Sequence, residues 1–211
     1  NPLFFLKEVS GLARYLRLQF THLQFVKLTP TTTLALKGRF GGIQLLEDGN
    51  SYVPIDRQFF CGGANSVRAW SSRQLRYSKI TSDSIDNQNT FLFLQNFIGN
   101  GVLIEGSVEF RFGFPKPPGL NPFLQNIVQN LKTTLFLDFG NAFHWFLSNE
   151  DIEVKPIDYI TKLALGAGIG IRYETPIGPL RADFAVPIYD PLKIKKPFSS
   201  LTFNFGLGHA F

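Results

Sequence analysis

The sequence predicts an all-β protein, an antiparallel transmembrane β-barrel, and three observations lead to that fold class. Apolar and polar residues alternate with a period of two through most of the chain. The alternating runs have about 9 to 15 residues, whereas strands of soluble sheets have about 5 or 6. The second face of each run carries charges and glycines, as the lumen side of a barrel does. A soluble sandwich or a lipocalin-like barrel is the alternative.

The composition argues against several classes of protein. The chain has 211 residues, with 23 Phe, 13 Pro and a net charge of +5. So many aromatic residues argue against disorder, and no apolar run is long enough for a transmembrane helix. The basic residues are scattered singly, which argues against nucleic-acid binding. One cysteine and three dispersed histidines predict no disulfide framework, no metal site and no cofactor.

Seven strands are predicted in chain order. The first two, near 12–28 and 31–46, alternate least clearly, with Leu16, Leu18 and Phe20 on one face of the first. The remaining five are the segments VLIEGSVEFRF, LKTTLFLDFGNAF, TKLALGAGIGIRYE, PLRADFAV and LTFNFGLGHAF. Bacterial barrels usually have an even number of strands, from eight upward. Either a further strand lies near 1–10 or 66–98, or the chain is part of a larger barrel.

The connections also favour a membrane barrel, because outer-membrane barrels alternate short periplasmic turns with long outer loops. The chain has short joints at 29–31 and 175–179 and longer connections at 47–98, 145–161 and 187–200. The connection 115–131 is the exception, since by its position it should be short and it is of medium length.

Four segments carry a resemblance to a known family. They are FFCGGANSVRAW, FLDFGNAF, GIGIRYETPIGPLRADFAVP and FNFGLGHAF, in this order over residues 57–211. They resemble the Phe-x-Gly-Gly-x-x-Ser-Val-Arg-Gly-aromatic signature, two strand motifs and the closing strand of the BamA/TamA/FhaC superfamily of outer-membrane insertases and secretion pores. Within that family the chain looks most like TamA-like or BamA-like proteins of Bacteroidetes. Ala69 departs from the signature, which has glycine after the arginine.

The resemblance implies how the chain is organised. Residues 1–211 would be the C-terminal portion of a barrel that has sixteen strands in that family. Residues 47–98 would form a long extracellular loop region that folds back into the lumen, and 201–211 would be the closing strand. The periplasmic POTRA domains and the first strands would lie outside this chain. The lumen motif would comprise Gly62, Gly63, Ser66, Val67, Arg68 and Trp70.

Arg68 raises a physical question, because a buried arginine is costly unless it is paired. The alternation places Glu109 and Asp138 on the polar faces of their strands, and the family's loop arginine pairs with acidic residues at matching positions. We therefore predict that Arg68 contacts Asp138, Glu109 or both. A bidentate arginine–carboxylate pair fixes orientation in a way that lysine does poorly. The pair could serve transport or only fasten the loop.

The resemblance implies a non-enzymatic factor of the Gram-negative outer membrane that inserts or translocates β-barrel clients through a lateral seam, without nucleotide. The seam residues would be Phe203, Phe205, Gly206, Gly208 and Phe211. The expected partners are unfolded outer-membrane client proteins and the lipid bilayer, with periplasmic or outer-membrane accessory subunits as further candidates and no nucleic acid. The alternatives are a two-partner-type secretion pore that exports a polypeptide and a passive porin.

Overall fold

The computed structural model describes residues 14–46, 53–77, 101–115, 118–119, 121–143, 155–176, 178–193 and 195–208. A further strand was predicted near 1–10 or 66–98; residues 1–10 and 78–98 lie outside the described part of the chain, as does Phe211, and the described residues 66–77 contribute no strand to the sheet. Within the described part of the chain, no helix is long and apolar enough to cross a membrane.

A single antiparallel sheet of seven strands runs through the described residues in chain order. The strands are β1 (Tyr15–Lys27), β2 (Thr32–Leu45), β3 (Val102–Gly113), β4 (Leu131–Phe143), β5 (Ala164–Tyr173), β6 (Leu180–Tyr189) and β7 (Thr202–Leu207). Each strand pairs with its neighbours in sequence, so β1 and β7 are the edges of the sheet. The predicted all-β antiparallel fold is therefore confirmed.

The two faces of the sheet have opposite character. One face, called here the outer face, exposes large apolar side chains, among them Phe40, Phe110, Phe112, Leu135, Leu137, Ile169, Ile171, Phe203 and Phe205. The other, the inner face, buries charged and polar side chains, among them Glu105, Ser107, Glu109, Asp138, Arg172, Arg181 and Asp183. Apolar residues facing out and charged residues facing in are what a barrel wall in lipid requires.

Two α-helices lie in the described connections between strands, and neither was predicted from the sequence. Helix α1 (Pro122–Asn130) lies in the connection before β4, and the short α2 (Asp158–Thr161) lies before β5. The start of α1 follows from its sequence: Asn121 caps it by accepting hydrogen bonds from the backbone N–H groups of Phe123 and Leu124, and Pro122 occupies its first turn. This helix explains the medium length of the connection 115–131.

The core lies between the inner face and the chain segment that follows β2. We call residues 53–77 the lumen loop. Its buried side chains and those of the sheet form one apolar cluster of Ile43, Val53, Phe59, Cys61, Val67, Ala69, Trp70, Leu75, Leu103, Phe136, Ala142, Ala164 and Ala185. The loop thus packs against the inner face of the sheet and is not a solvated surface segment.

Candidate functional site

The lumen loop folds on itself before it meets the sheet. The N–H of Gly63 donates to the carbonyl of Trp70 (2.9 Å), and the N–H of Leu75 donates to that of Cys61 (3.1 Å). Gly62 and Gly63 have φ of +100° and +101°, a left-handed region that side chains rarely adopt. A Cβ on Gly62 would also lie 2.6 Å from the carbonyl oxygen of Ser71. The Gly-Gly pair is therefore what allows the chain to turn in so little space.

Arg68 lies at the centre of the loop and is 1% exposed. Its Nε and Nη2 donate to the two carboxylate oxygens of Asp138, both at 2.7 Å, and its backbone N–H donates to Asp138 Oδ2 at 3.1 Å. Its Nη1 donates to Glu109 Oε1 (2.5 Å), and its Nη2 also donates to Ser107 Oγ (3.1 Å). The guanidinium carbon stands 3.4 Å from the centre of the Phe136 ring. The structure thus brings Arg68 to both carboxylates named from the sequence.

The Arg68 pair belongs to a wider charge network on the inner face. Arg111 Nε donates to Glu109 Oε2 at 2.9 Å, and Arg172 Nη1 donates to Asp183 Oδ1 at 2.5 Å. Asp183 Oδ2 is also 3.7 Å from Arg68 Nη1. The network contains four guanidinium groups and three carboxylates, from Arg68, Arg111, Arg172, Arg181, Glu109, Asp138 and Asp183. Positive charge is in excess: Glu109 and Asp183 each face three guanidinium groups, whereas Asp138 pairs with Arg68. The loss of one carboxylate therefore leaves a buried cation poorly compensated.

Glu105 forms a second anchor for the loop. Its Oε2 accepts a hydrogen bond from Ser66 Oγ at 2.5 Å, and its Oε1 is 2.9 Å from Arg39 Nε and 3.5 Å from Lys37 Nζ. Ser66 Oγ in turn accepts from the N–H of Gly62 (2.9 Å). Sequence reasoning did not identify Glu105, although the alternation of β3 places it on the same face as Glu109.

Ala69, where the family signature has glycine, is accommodated by the facing strand. Among the described residues, the non-glycine positions with positive φ are Arg73, Lys193 and Phe198, so Ala69 has an ordinary backbone. The Cβ of Ala69 faces Gly166 on β5, where an added Cβ would lie 2.8 Å from it. The extra methyl group of Ala69 thus uses space that Gly166 leaves open.

Strand β7 and the segment before it hold the loop by its backbone. Asn204 Nδ2 donates to the carbonyl of Arg68 at 3.0 Å, and Thr202 Oγ1 donates to the carbonyl of Ala69 at 3.1 Å. Lys195 Nζ, from the connection before β7, also donates to the carbonyl of Ala69 at 3.0 Å. Asn65 of the loop contacts Arg181 of β6. Sequence reasoning did not identify these β7 contacts, because they depend on how two distant segments meet in space.

The predicted seam residues that the structure describes, Phe203, Phe205, Gly206 and Gly208, make none of the loop contacts named above. Phe203 and Phe205 point outward and are 57% and 66% exposed. Gly206 lies opposite Arg181 on β6, and a Cβ there would be 2.9 Å from the guanidinium Nε. Gly208 follows the end of β7 with φ of +92°.

Two other chemistries receive no support from the described residues. Cys61 is fully buried, and burial raises the pKa of its thiol well above the usual range, which opposes a role as nucleophile. Across the described ranges, no group of three or more His, Cys, Asp or Glu side chains is arranged to hold a metal ion.

Comparisons with known proteins agree on a family. The family model described as "Omp85 superfamily domain" matches residues 4–211. Among solved structures, the crystal structure of BamA from Haemophilus ducreyi lacking POTRA domains 1–3 superposes with a TM-score of 0.59 at 21% sequence identity. The match covers 90% of this chain but 34% of that one, so the chain spans about a third of its length. These findings confirm the predicted resemblance to the superfamily, the barrel fold, the non-enzymatic class and the bacterial outer-membrane location, whereas the likeness to members from Bacteroidetes stays a prediction.

Proposed function

The chain belongs to the Omp85 superfamily, and from that premise we propose that it is part of an outer-membrane insertion and assembly factor. In this proposal β-barrel client proteins enter the membrane at a lateral seam formed by the edge of β7. No nucleotide and no covalent chemistry are needed, because burial of the client's own apolar surface supplies the driving force. The protein lowers the barrier by offering a template edge.

The observation that supports the proposal is the short length and limited pairing of β7. Strand β7 has six residues and pairs, within the described chain, with β6 alone. In this proposal the other edge of β7 takes up a further strand, whose backbone pairs with the N–H and C=O groups of β7. A client strand that adds there keeps its backbone hydrogen-bonded while it passes into lipid, where unpaired backbone groups are very costly.

The pairing of β7 with β6 is short. The register joins β7 only to residues 180–185 of β6. Beyond that point the connection to β7 folds back, and the N–H of Phe198 donates to the carbonyl of Pro187 at 2.8 Å. A short final pairing is easier to separate than the ladders of ten or more residues among β1 to β5. Strand β7 is thus held to the sheet by few backbone hydrogen bonds, so it can shift to admit a client strand at its other edge.

We also propose how the chain is divided into barrel, loop region and closing strand. Residues 1–211 form the C-terminal portion of the barrel, 47–98 the outer loop region with the lumen motif, and 201–211 the closing strand. The remaining strands, the POTRA domains and any accessory subunits belong to the rest of the assembly. The clients are unfolded outer-membrane proteins.

A secretion pore is the second candidate, and one observation favours it. The lumen loop packs against the inner face of the sheet, where an exported polypeptide would pass, so its withdrawal would open a channel. An insertase uses the edge of β7, whereas a pore uses the space that the loop now occupies.

Site-specific photo-crosslinking separates the two candidates. A benzophenone amino acid replaces Phe205 on β7, and the matched control replaces Phe110 on β3, another outward-facing phenylalanine. The full-length protein is reconstituted in lipid vesicles with a urea-unfolded β-barrel client. We expect client crosslinks at position 205 and few at 110. Equal labelling at both positions, or no crosslinks at position 205 together with a large ionic conductance, would contradict the insertase.

A further inference from the structure

We propose that Asn204, Thr202 and Lys195 are positioning residues that couple the lumen loop to the closing strand, so that release of the loop and opening of the β7 seam favour each other. The inference rests on the proposed function for its biological meaning. The linkage between the lumen loop and β7 follows from their hydrogen bonds and does not depend on which client the protein serves.

The loop is held in two different ways. Strands β3 and β4 bind the Arg68 side chain through its salt bridges with Glu109 and Asp138. Strand β7 instead holds the backbone just beyond that side chain, through the Asn204 amide and the Thr202 hydroxyl. The first set of contacts joins the loop to the middle of the sheet, and the second joins it to the edge.

The geometry of β7 makes the second set dependent on the position of the strand. Thr202 and Asn204 lie two residues apart on the inner face, where they are half-buried, and they alternate with the exposed Phe203 and Phe205. The register pairs Asn204 with Asp183 of β6. If β7 moves away from β6, both side chains leave the loop together.

Lys195 adds a third contact from the segment that leads into β7. Its Nζ is 3.0 Å from the carbonyl oxygen of Ala69 and 5.7 Å from the centre of the Trp70 ring. Burial lowers the pKa of Lys195, in agreement with an ammonium group packed under the outer connection. Movement of β7 would also move this segment and so break the contact of Lys195 with the loop.

Linkage makes the coupling reciprocal. Contacts that exist only when the loop is docked and β7 is paired stabilise both states together. Each hydrogen bond of this kind changes the equilibrium about 5-fold. The Thr202 and Asn204 contacts together should therefore change loop opening by roughly 10- to 30-fold.

Cys61 reports loop opening without any client. It is buried in the docked loop, and trypsin releases it in the peptide 58–68 between Arg57 and Arg68. Full-length protein in lipid nanodiscs is treated with a maleimide, and the label on this peptide is quantified by mass spectrometry after denaturation. The variants are T202V, N204A and both together, and T33V, a threonine on the inner side of β2, is the matched control.

We expect the double variant to label roughly 10-fold faster or more, the single variants less, and T33V at the wild-type rate. Unchanged labelling in a folded double variant overturns the proposal. If the double variant does not fold, the single variants and K195A decide by the same criterion.

The reverse direction is tested by loosening the loop far from β7. Ser66 contacts Glu105 on β3, so S66A weakens the loop's anchor without touching β7. We expect faster hydrogen exchange at the amides of 202–207, with β3 little changed. Unchanged exchange in 202–207 overturns the coupling. Because neither readout uses a client, a failure of the insertase proposal would appear separately, as absent client insertion with the coupling intact.

Discussion

Arg68 and Asp138 are joined by three hydrogen bonds, two from the guanidinium at 2.7 Å and one from the backbone N–H at 3.1 Å. Both residues are almost completely buried, so the pair is made in a medium where an unpaired charge is costly. The backbone bond also fixes the chain of the loop, and not only its side chain, against β4. This one carboxylate therefore sets both the position and the direction of the loop.

Replacing Arg68 with lysine should undock the loop even though the charge is kept. A single ammonium cannot serve both oxygens of Asp138 and Glu109 in a planar arrangement, nor stack on Phe136 in the same way. We expect a loss of about 2 to 4 kcal/mol in loop docking, seen as faster maleimide labelling of Cys61. The matched control is R73K, in the same loop, whose guanidinium packs on the ring of Phe60. Equal labelling of the R68K variant and the wild type would show that charge alone suffices.

Neutralising Asp138 should be more damaging than neutralising an exposed carboxylate. The D138N variant leaves the four guanidinium groups of the network with two carboxylates, and one of those cations loses its main partner. We expect destabilisation of about 3 to 5 kcal/mol, measured by urea denaturation in detergent micelles. The control is E174Q, which removes a partly exposed pair with Lys132 and should cost less than about 1 kcal/mol. Similar midpoints for both variants would contradict a special role for the buried network.

The contact between Gly166 and Ala69 predicts a compensating pair of substitutions. An alanine at position 166 would place its Cβ 2.8 Å from that of Ala69 and 3.2 Å from the Trp70 ring. We expect G166A to loosen the loop by about 1 to 3 kcal/mol, and A69G to restore part of the loss in the double variant. The measurement is Cys61 labelling in the two single variants and the double variant. Purely additive effects would show that the two residues do not compete for the same space.

The sheet could be predicted from the sequence because the pattern that identifies a strand lies within a few neighbouring residues. Alternation with a period of two identifies a strand and assigns each residue to a face, and that is enough to place Glu109 and Asp138 on the side that Arg68 needs. Helix α1 was missed although its signals, the Asn121 cap and Pro122, are also local. The helix has nine residues and a period other than two, so the alternation that identifies strands does not reveal it.

The contacts of the loop with β7 could not be predicted in the same way. They depend on backbone carbonyls of Arg68 and Ala69 meeting side chains more than a hundred residues later in the chain. Backbone acceptors are present at every residue, so no residue type marks which of them will be used. Such contacts follow only from the path of the loop across the sheet.

Glu105 provides the last prediction, since its carboxylate joins the loop to β2 and β3 at once. It accepts from Ser66 and lies between Lys37 and Arg39. In E105Q the shape is kept, but the amide nitrogen cannot accept, and two cations lose their shared anion. We expect faster Cys61 labelling than in S66A, because S66A removes one hydrogen bond whereas E105Q also leaves Lys37 and Arg39 without that charge. If E105Q and S66A label at the same rate, Glu105 holds the loop through its hydrogen bond with Ser66, and its negative charge contributes nothing to loop docking.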